Sequence, residues 1–324
     1  MKILLLKKGA LGDVLLTTPL VRQLRKNFPD SQIDYWVGDI SQTALQKNQH
    51  LDRSVGFDEK IFTQKNVFKF LRLVNRIKTQ HYDVAFVLDK HWVYALAVFL
   101  ARVPRRLGFL RDWLSCIFLT HQIDRRPIRH EILYYLDLLH LIGNVDYKDT
   151  KIDFSISTNA KSRTNSLIKN FVVVVNSGGD NLSEQSQVRK LPDEKFRELL
   201  SKLSAVYKVA LIGGENDTKY YQQFTNSQII NFAGQLSLEE SAALMQRATH
   251  IYTTDSGPMH LAASVNENIT AFFGPTNPAR KAPLVSNIKT VWDDQDIYEE
   301  AYELCGRVPK SIFFTRLDFE EVEL

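Results

Sequence analysis

The residues best suited to chemistry lie in a short turn in the C-terminal half of the chain. Thr254-Asp255-Ser256-Gly257 follows an apolar stretch at 250–253 and precedes the apolar residues 261–265. A strand that breaks here and continues directly into a helix presents unpaired backbone N–H groups and the positive end of the helix dipole, which together bind phosphate. The turn therefore predicts an anion site, and His260, about one helical turn later, can point toward the same anion.

A second glycine-rich turn, Lys8-Gly9-Ala10-Leu11-Gly12-Asp13, follows the strand-like residues 3–7, which are apolar up to Leu6. Gly9 and Gly12 permit a tight strand-to-helix turn, and Asp13 stands at the helix start, where a carboxylate is favoured. Such a carboxylate can be a helix cap, and it can also accept a proton. The spacing is not that of a GxGxxG motif, and no acidic residue closes a second strand at the usual distance, so a nicotinamide-dinucleotide fingerprint is a poor match.

Two more strand ends carry polar groups. Ser177-Gly178 follows residues 171–175, and the cations Arg189 and Lys190 come shortly before a predicted helix start. These paired cations could neutralise a diphosphate, or they could belong to a solvated loop. After the apolar residues 211–212, either Glu215 or Asp217 could accept hydrogen bonds from ribose hydroxyls, and the pattern does not choose between them.

Composition indicates a globular protein large enough for two domains. The chain has 324 residues, of which 44% are hydrophobic and 24% charged. Cys116 and Cys305 have no nearby cysteine or histidine cluster, which is typical of reduced thiols. The N-terminal apolar run is too short for a signal peptide, and no apolar stretch reaches the ~20 residues of a membrane span. We therefore expect a cytoplasmic protein.

Positive charge is concentrated in one segment of the N-terminal half. Residues 102–129 contain seven arginines and two aspartates, and Phe109, Trp113 and Phe118 lie among them. The excess predicts an anionic partner, either phosphate groups or anionic lipid headgroups, although a solvated basic surface would give the same pattern. A nucleic-acid partner is not expected, because no nucleic-acid-binding module accompanies the arginines.

Strand-like apolar runs alternate with helical segments along the whole chain. This alternation predicts parallel sheets with right-handed crossovers, and hence two doubly wound α/β domains with ligands at the carboxyl ends of the strands. We expect one domain over 1–155 and another over 156–324, with the polar stretch 147–166 as a linker. The predicted strands are 3–7, 32–37, 84–88, 171–175, 208–212, 228–232, 250–253 and 269–273, and the predicted helices are 14–28, 193–206, 217–225, 238–247 and 261–265.

Together these motifs resemble glycosyltransferase family 9, the lipopolysaccharide heptosyltransferases, over nearly the whole chain. The resemblance implies the GT-B fold, with two Rossmann-like domains facing each other across a cleft. It assigns the acceptor to the N-terminal domain and the nucleotide sugar to the C-terminal domain, and the C-terminal tail can pack back on the first domain. The matching segments are Leu11-Gly12-Asp13 with Thr18-Pro19, Ser177-Gly178, residues 189–192, Ile212-Gly213-Gly214, Phe232-Ala233-Gly234 before Ser237-Leu238, Asp255-Ser256-Gly257-Pro258-Met259-His260, and Phe273-Gly274-Pro275-Thr276.

The resemblance also implies a reaction. A heptose would move from ADP-heptose to a lipid-linked core saccharide in lipopolysaccharide biosynthesis, with inversion and without a metal or other cofactor. Asp13 matches the residue proposed as general base in the family. The implied donor contacts are Ser177, Gly178, Arg189, Lys190, Glu215, Asp217, Asp255, Ser256, Gly257 and His260, and the predicted acceptor contacts are Gly12, Arg105, Arg106 and Arg111.

The chain departs from the family pattern at the donor site. The family's Lys-x-Trp-Pro motif has Arg189 in its lysine position and Leu191 in its tryptophan position, and Ser177 replaces the first residue of a Pro-Gly turn. An arginine can still pair with phosphate, in a bidentate manner. Another nucleotide sugar, used for a surface glycan, therefore stays open, as does a non-catalytic nucleotide-sugar-binding protein. The expected partners are the donor, an anionic lipid-linked acceptor and the inner face of the cytoplasmic membrane, bound peripherally.

Overall fold

Each half of the chain is built around a six-stranded parallel sheet. The computed structural model describes residues 1–63, 66–89, 91–110, 113–124, 128–143, 147, 149–177, 186–305, 307, 309 and 311–319. Contacts between Cα atoms divide the chain into two units, Met1–Asp153 and Phe154–Leu324. The predicted class of two doubly wound α/β units is confirmed.

The sheet of the first unit has the strand order β3-β2-β1-β4-β5-β6. Its strands are β1 (Lys2–Lys7), β2 (Gln32–Gly38), β3 (Arg53–Phe57), β4 (Val84–Val87), β5 (Arg105–Leu110) and β6 (His121–Asp124). Its helices are α1 (Leu11–Leu15), α2 (Thr18–Asn27), α3 (Lys60–Thr63), α4 (Val67–Lys78), α5 (Trp92–Leu100), α6 (Trp113–Phe118) and α7 (Glu131–Asp137), and 3-10 turns span Asp39–Ala44 and Leu138–Leu141.

The second unit repeats this topology, with the strand order β12-β11-β10-β7-β8-β9. Its strands are β7 (Phe171–Val175), β8 (Lys208–Leu211), β9 (Ile229–Asn231), β10 (Ile251–Thr254), β11 (Ile269–Phe272) and β12 (Ile288–Val291). Its helices are α8 (Thr158–Thr164), α9 (Asp193–Ser204), α10 (Thr218–Gln222), α11 (Leu238–Arg247), α12 (Gly257–Val265), α13 (Pro278–Lys281) and α14 (Glu300–Cys305), with 3-10 turns at Ser186–Arg189, Glu215–Asp217 and Gln295–Ile297.

The central strands are apolar along their length because both faces of each sheet are covered by helices. In β1, Ile3, Leu4, Leu5 and Leu6 are all fully buried. All five residues of β7, Phe171–Val175, are buried as well. Continuous apolar runs of this kind are the sequence signature of a parallel sheet enclosed on both sides.

In both sheets the order in which successive strands are added reverses beside the first strand, at the topological switch point. β1 pairs with β2 on one side and with β4 on the other, and β7 pairs in the same way with β8 and β10. The loops that leave β1 and β4, and those that leave β7 and β10, therefore diverge to opposite faces of their sheet. This divergence opens a crevice at the carboxyl ends of the strands, where doubly wound proteins bind ligands.

The sequence predictions hold for the long apolar strands and fail where local signals are weak. The predicted helix 14–28 is two helices, α1 and α2, and β3, β5, β6 and β12 were not predicted. The proposed linker contains α8, whose N-cap Ser157 accepts a hydrogen bond from the Ala160 N–H. In the C-terminal segment, Phe313, Phe314, Leu317 and Phe319 pack in the core of the second unit.

Candidate functional site

The turn after β1 presents Asp13 in the first turn of α1. The N-cap of α1 is Ala10, whose carbonyl accepts the Val14 N–H at 2.9 Å. Asp13 is the third residue of the helix, so it is not the cap, and its side chain is half-buried. Gly12 beside it is buried. The carboxylate therefore lies at the carboxyl edge of the sheet, where a substrate hydroxyl could approach it.

Gly38, at the end of β2, lets the turn after β1 approach closely. Its N–H donates to the Lys8 carbonyl oxygen at 2.8 Å. A Cβ atom at position 38 would lie 2.2 Å from that oxygen and 2.3 Å from Oε2 of Glu59. Both separations are far inside van der Waals contact, so a side chain here would displace the turn that carries Asp13.

A buried lysine lies directly before this turn. The Lys7 side chain is 1% exposed, and its ammonium donates to the Leu88 carbonyl oxygen at 3.4 Å. Burial by itself lowers the pKa of this side chain, but the neighbouring Tyr135, Asp13 and Asp89 raise it, and the net pKa is above the ordinary lysine value. Lys7 is therefore a cation at neutral pH, and it favours the ionised form of the Asp13 carboxylate.

A second carboxylate, Asp89, follows β4 on the other side of β1. Its Oδ2 accepts the Lys8 N–H at 3.0 Å, and its Oδ1 accepts the His91 N–H at 3.4 Å. The bond from Lys8 joins the ends of β1 and β4 at the topological switch point of the sheet, and the bond from His91 closes a local turn before α5. Two carboxylates and one buried cation thus meet at the switch point of the first unit.

Arg105 and Arg106 lie at the opposite edge of the sheet from Asp13, since they begin β5. Arg105 donates to the Leu141 carbonyl, and Arg106 donates to the carbonyls of Phe118 and Val103. A strand advances about 3.3 Å per residue, which puts these side chains roughly 15 Å from the carboxyl edge. The structure therefore does not bring Arg105 and Arg106 together with Gly12, contrary to the predicted acceptor site. Arg111 lies outside the described residues.

In the second unit, a side chain joins the ends of β7 and β10. The Thr254 hydroxyl donates to the Ser177 carbonyl at 2.6 Å and accepts the Ser177 N–H at 3.2 Å. Ser256 then caps α12 with extended backbone, and Pro258 occupies the first turn. The nine-residue helix thus starts at the switch point of this sheet, with Ser256 and Gly257 at its N-terminus. The predicted Gly178 lies outside the described residues.

Asn176 holds the segment that carries the two predicted cations. Its amide oxygen accepts the Leu191 N–H at 2.7 Å, and its amide nitrogen donates to the Leu191 carbonyl at 3.0 Å and to the Tyr220 hydroxyl at 3.3 Å. The residue is 1% exposed. This reciprocal pair fixes the backbone next to Arg189 and Lys190 against the end of β7.

Arg189 lies beside the carboxylate that begins the anion-site turn. One guanidinium nitrogen is 3.6 Å from Oδ2 of Asp255, a buried residue. The Nε–H donates to the Tyr302 hydroxyl at 2.7 Å, and the guanidinium carbon lies 5.2 Å from the centroid of the Tyr302 ring. Tyr302, in α14, therefore fixes the orientation of the arginine.

The alternative between Glu215 and Asp217 is narrowed by their surroundings. Asp217 is buried, accepts the Gly214 N–H at 3.1 Å and pairs with the Lys190 ammonium at 3.2 Å. Glu215 is exposed in the same 3-10 turn. The carboxylate of Asp217 therefore stabilises the loop and positions Lys190, whereas Glu215 presents its carboxylate to solvent.

An ionic cluster around a buried arginine lies behind the turn. Arg280 in α13 is 4% exposed and pairs with Glu300 at 2.7 Å and with Glu303 at 3.7 Å. Burial raises the pKa of Glu303, and the nearby Asp255 raises it further, against the opposing effects of Tyr298, Lys281 and Arg280. His260, the fourth residue of α12, is itself buried.

Sequence reasoning missed the residues that orient the site. Lys7 and Asp89 carried a usable signal, because each is a charged residue at the end of an apolar strand run. Tyr302 and Arg280 carried none, since they reach the site from α14 and α13 through tertiary packing.

Among the described residues, no cluster of histidine, cysteine or acidic side chains could hold a metal ion. None of their helices is long and apolar enough to cross a bilayer.

Comparison with known proteins identifies the class. Residues 70–305 match the model of glycosyltransferase family 9 (heptosyltransferase), and the chain belongs to this family. The predicted family is thereby confirmed, although Asp13 lies before the matched range. The chain is 26% identical over 306 residues to lipopolysaccharide heptosyltransferase 3 of Escherichia coli (strain K12), covering 87% of this chain and 85% of the relative.

Solved structures share the fold. The glycosyl transferase family 9 structure from Veillonella parvula superposes with a TM-score of 0.80 at 23% identity, covering 94% of this chain and 90% of that one. The Escherichia coli heptosyltransferase WaaC with ADP-2-deoxy-2-fluoro heptose superposes with a TM-score of 0.72 at 17% identity, covering 90% of this chain and 93% of that one. The predicted GT-B fold is confirmed by this likeness.

The Asn176 pair generates a prediction about stability. Asn176→Ala leaves the buried Leu191 N–H and carbonyl without their partner, so we expect the free energy of unfolding to fall by about 2–3 kcal/mol. Urea denaturation measures this change. Asn165→Ala, at an exposed asparagine of the same unit, is the matched control and should change stability by less than about 0.5 kcal/mol. Equal stability of the two variants would contradict the role given to Asn176.

Proposed function

We propose that the protein transfers a heptose from ADP-heptose to a lipid-linked core saccharide of lipopolysaccharide, with inversion at the anomeric carbon. The observation that carries this proposal is the second unit's switch point, where the Asp255-Ser256-Gly257 turn meets Arg189. The related WaaC structure with an ADP-heptose analogue supports the choice of donor. The family membership supports the reaction class.

The donor diphosphate is proposed to lie against the start of α12. The backbone N–H groups of Ser256 and Gly257 and the helix dipole would receive its oxygens. Arg189, held by Tyr302, and Lys190, held by Asp217, would add positive charge. Negative charge grows on the diphosphate as the glycosidic bond breaks, and preorganised donors stabilise that charge.

The remaining proposed donor contacts include one of the two acidic residues near the ribose and three further side chains. Glu215 is the better candidate for the ribose hydroxyls, because Asp217 already holds Gly214 and Lys190. Ser177 and His260 stay predicted donor contacts at the ends of β7 and within α12. Asp255 would orient Arg189 and can accept a hydrogen bond from a sugar hydroxyl.

On the acceptor side, Asp13 is proposed as the general base. It would take the proton of an acceptor hydroxyl as the oxygen attacks the anomeric carbon, and ADP would leave from the opposite face in the same displacement. A single displacement inverts the configuration at that carbon. The cationic Lys7 supports this role because it favours an ionised Asp13 that is ready to accept a proton. Gly12 and Arg111 stay predicted acceptor contacts.

We infer that the transfer needs no metal. Arg189 and Lys190 supply the positive charge that a divalent cation would otherwise bring to the diphosphate. Activity should therefore persist in excess chelator.

Because the proposed acceptor is lipid-linked, we also infer that the enzyme works peripherally at the inner face of the cytoplasmic membrane.

A thermal-shift screen tests the donor. We expect ADP-heptose to raise the melting temperature, because a ligand at about 100 times its Kd stabilises the native state by roughly 2.7 kcal/mol. UDP-glucose, GDP-mannose and NADH, at the same concentration, should raise it less or not at all. A larger shift with another nucleotide sugar would reassign the donor, and a shift with NADH alone would contradict the transferase assignment.

Asp13→Asn tests the general base. The amide cannot accept the proton, so we expect kcat to fall by about 10³-fold while the Kd for ADP-heptose stays within a few-fold. Steady-state kinetics and calorimetric titration measure the two quantities. Asp30→Asn, at an exposed position of the same unit, should leave both unchanged. Parallel loss of binding and turnover in Asp13→Asn would rule out the assignment.

Substitutions at Arg189 and Tyr302 test how the diphosphate is held. Arg189→Ala should raise the Kd for ADP-heptose by about tenfold or more, because a hydrogen bond to a charged group contributes about 1.5–3 kcal/mol. Tyr302→Phe keeps the ring and removes the hydroxyl that orients the arginine, so its effect should be smaller and in the same direction. Arg197→Ala, at an exposed arginine of α9, is the control. Unchanged affinity in Arg189→Ala would move the role to Lys190.

A further inference from the structure

Two helices of the first unit, α4 and α6, carry large apolar side chains on their outer face. In α4, Phe68 is 87% exposed, and Val67 and Leu71 are exposed beside it. In α6, Trp113 is 71% exposed and Ile117 is also exposed. We call these five residues, together with Arg72 and Lys78 of α4, the outer α4–α6 surface.

Folding of the unit does not account for these side chains. α4 already packs on the sheet through Leu73, Val74 and Ile77, which are buried in the core of the unit. α5 lies between α4 and α6 and packs against both helices. Its Phe99 lies against Phe118 of α6, with ring centroids 5.4 Å apart. The outer apolar residues are therefore additional to the packing that holds the three helices together.

Charge on these helices has one sign. The four charged residues of α4 are all cations, and the sequences of α4, α5 and α6 contain no aspartate or glutamate. Lys69 pairs with Asp58 at 3.0 Å, and Arg76 lies over the Trp36 ring at 4.8 Å. Arg72 and Lys78 are exposed on α4. Arg72 directly follows Leu71 and lies one helical turn from Phe68, whereas Lys78 lies two turns beyond Leu71.

The direction of the helices places part of this surface at the active-site edge. Helices in right-handed crossovers between parallel strands run antiparallel to the strands, so α4 and α6 begin where the strands end. Val67, Phe68 and Trp113 stand at those helix starts. They therefore lie at the same edge of the sheet as Asp13.

We propose that the outer α4–α6 surface docks the enzyme on an anionic lipid bilayer, with Phe68 and Trp113 entering the headgroup region. Aromatic and aliphatic side chains alternating with cations are the composition of a helix that lies in a membrane interface. A second copy of the chain fits less well, since a two-fold contact would bring cations against cations. This inference rests on the proposed function for its lipid-linked acceptor. It moves the predicted lipid contact from the arginines of residues 102–129 to α4 and to Trp113 and Ile117 of that segment.

Co-sedimentation with vesicles tests the proposal. The full-length protein is mixed with vesicles of phosphatidylcholine alone, or of phosphatidylglycerol and phosphatidylcholine in equal amounts. We expect strong partition onto the anionic vesicles and little onto the neutral ones, with the difference reduced by high salt. The assay contains neither donor nor acceptor, so its result does not depend on heptosyl transfer.

Two variants locate the surface. Phe68→Ser should lower partition onto the anionic vesicles by about tenfold, and Arg72→Gln combined with Lys78→Gln should lower it by a similar factor. Val206→Ser and the pair Lys161→Gln with Lys169→Gln remove an apolar side chain that is 73% exposed and two exposed cations from the second unit. These controls should bind the vesicles as the unmodified protein does. Thermal melting confirms that each variant is folded.

Three outcomes would overturn the proposal. The unmodified protein could fail to bind anionic vesicles, or the variants and their controls could bind equally well. In the third, sedimentation equilibrium would show a dimer that Phe68→Ser dissociates while vesicle binding is unchanged, which would assign the surface to a second copy of the chain.

Discussion

The whole arrangement depends on one topological constraint, the reversal of strand order beside the first strand of each sheet. Because β1 and β7 each have neighbours whose connections leave on opposite faces, the carboxyl ends of these strands stay open. Asp13 and Asp255 both follow strands next to such a reversal. A side chain at Gly38 would clash with the turn after β1 and displace it. Such a change would move Asp13 without altering any side chain proposed to take part in the reaction.

Opposite charges are placed together at both switch points. In the first unit a buried lysine lies under two carboxylates, and in the second Arg189 lies between Asp255 and Tyr302. Burying Lys7 is unfavourable in itself, and neighbouring negative charge offsets that cost. The same pairing would keep Asp13 ionised, as its proposed role as general base requires. Stability and the proposed chemistry therefore depend on the same contacts.

The sequence predicted the parts of the fold that rest on local patterns. β7 and α11 were predicted with their observed bounds, because an uninterrupted run of valines and a Ser237–Glu240 capping box are strong local signals. β5 was missed because its arginines read as a basic surface, whereas they bond to backbone carbonyls. The orienting role of Tyr302 could not be predicted, since it arises from packing between segments more than 100 residues apart.

Product analysis tests the central claim most directly. Purified protein, ADP-heptose and a lipid-linked core acceptor are incubated, and mass spectrometry follows the acceptor while released ADP is quantified. We expect one added heptose per ADP released, in the presence of a chelator. An acceptor of unchanged mass, with ADP-heptose bound but intact, would contradict it and favour a non-catalytic nucleotide-sugar-binding protein.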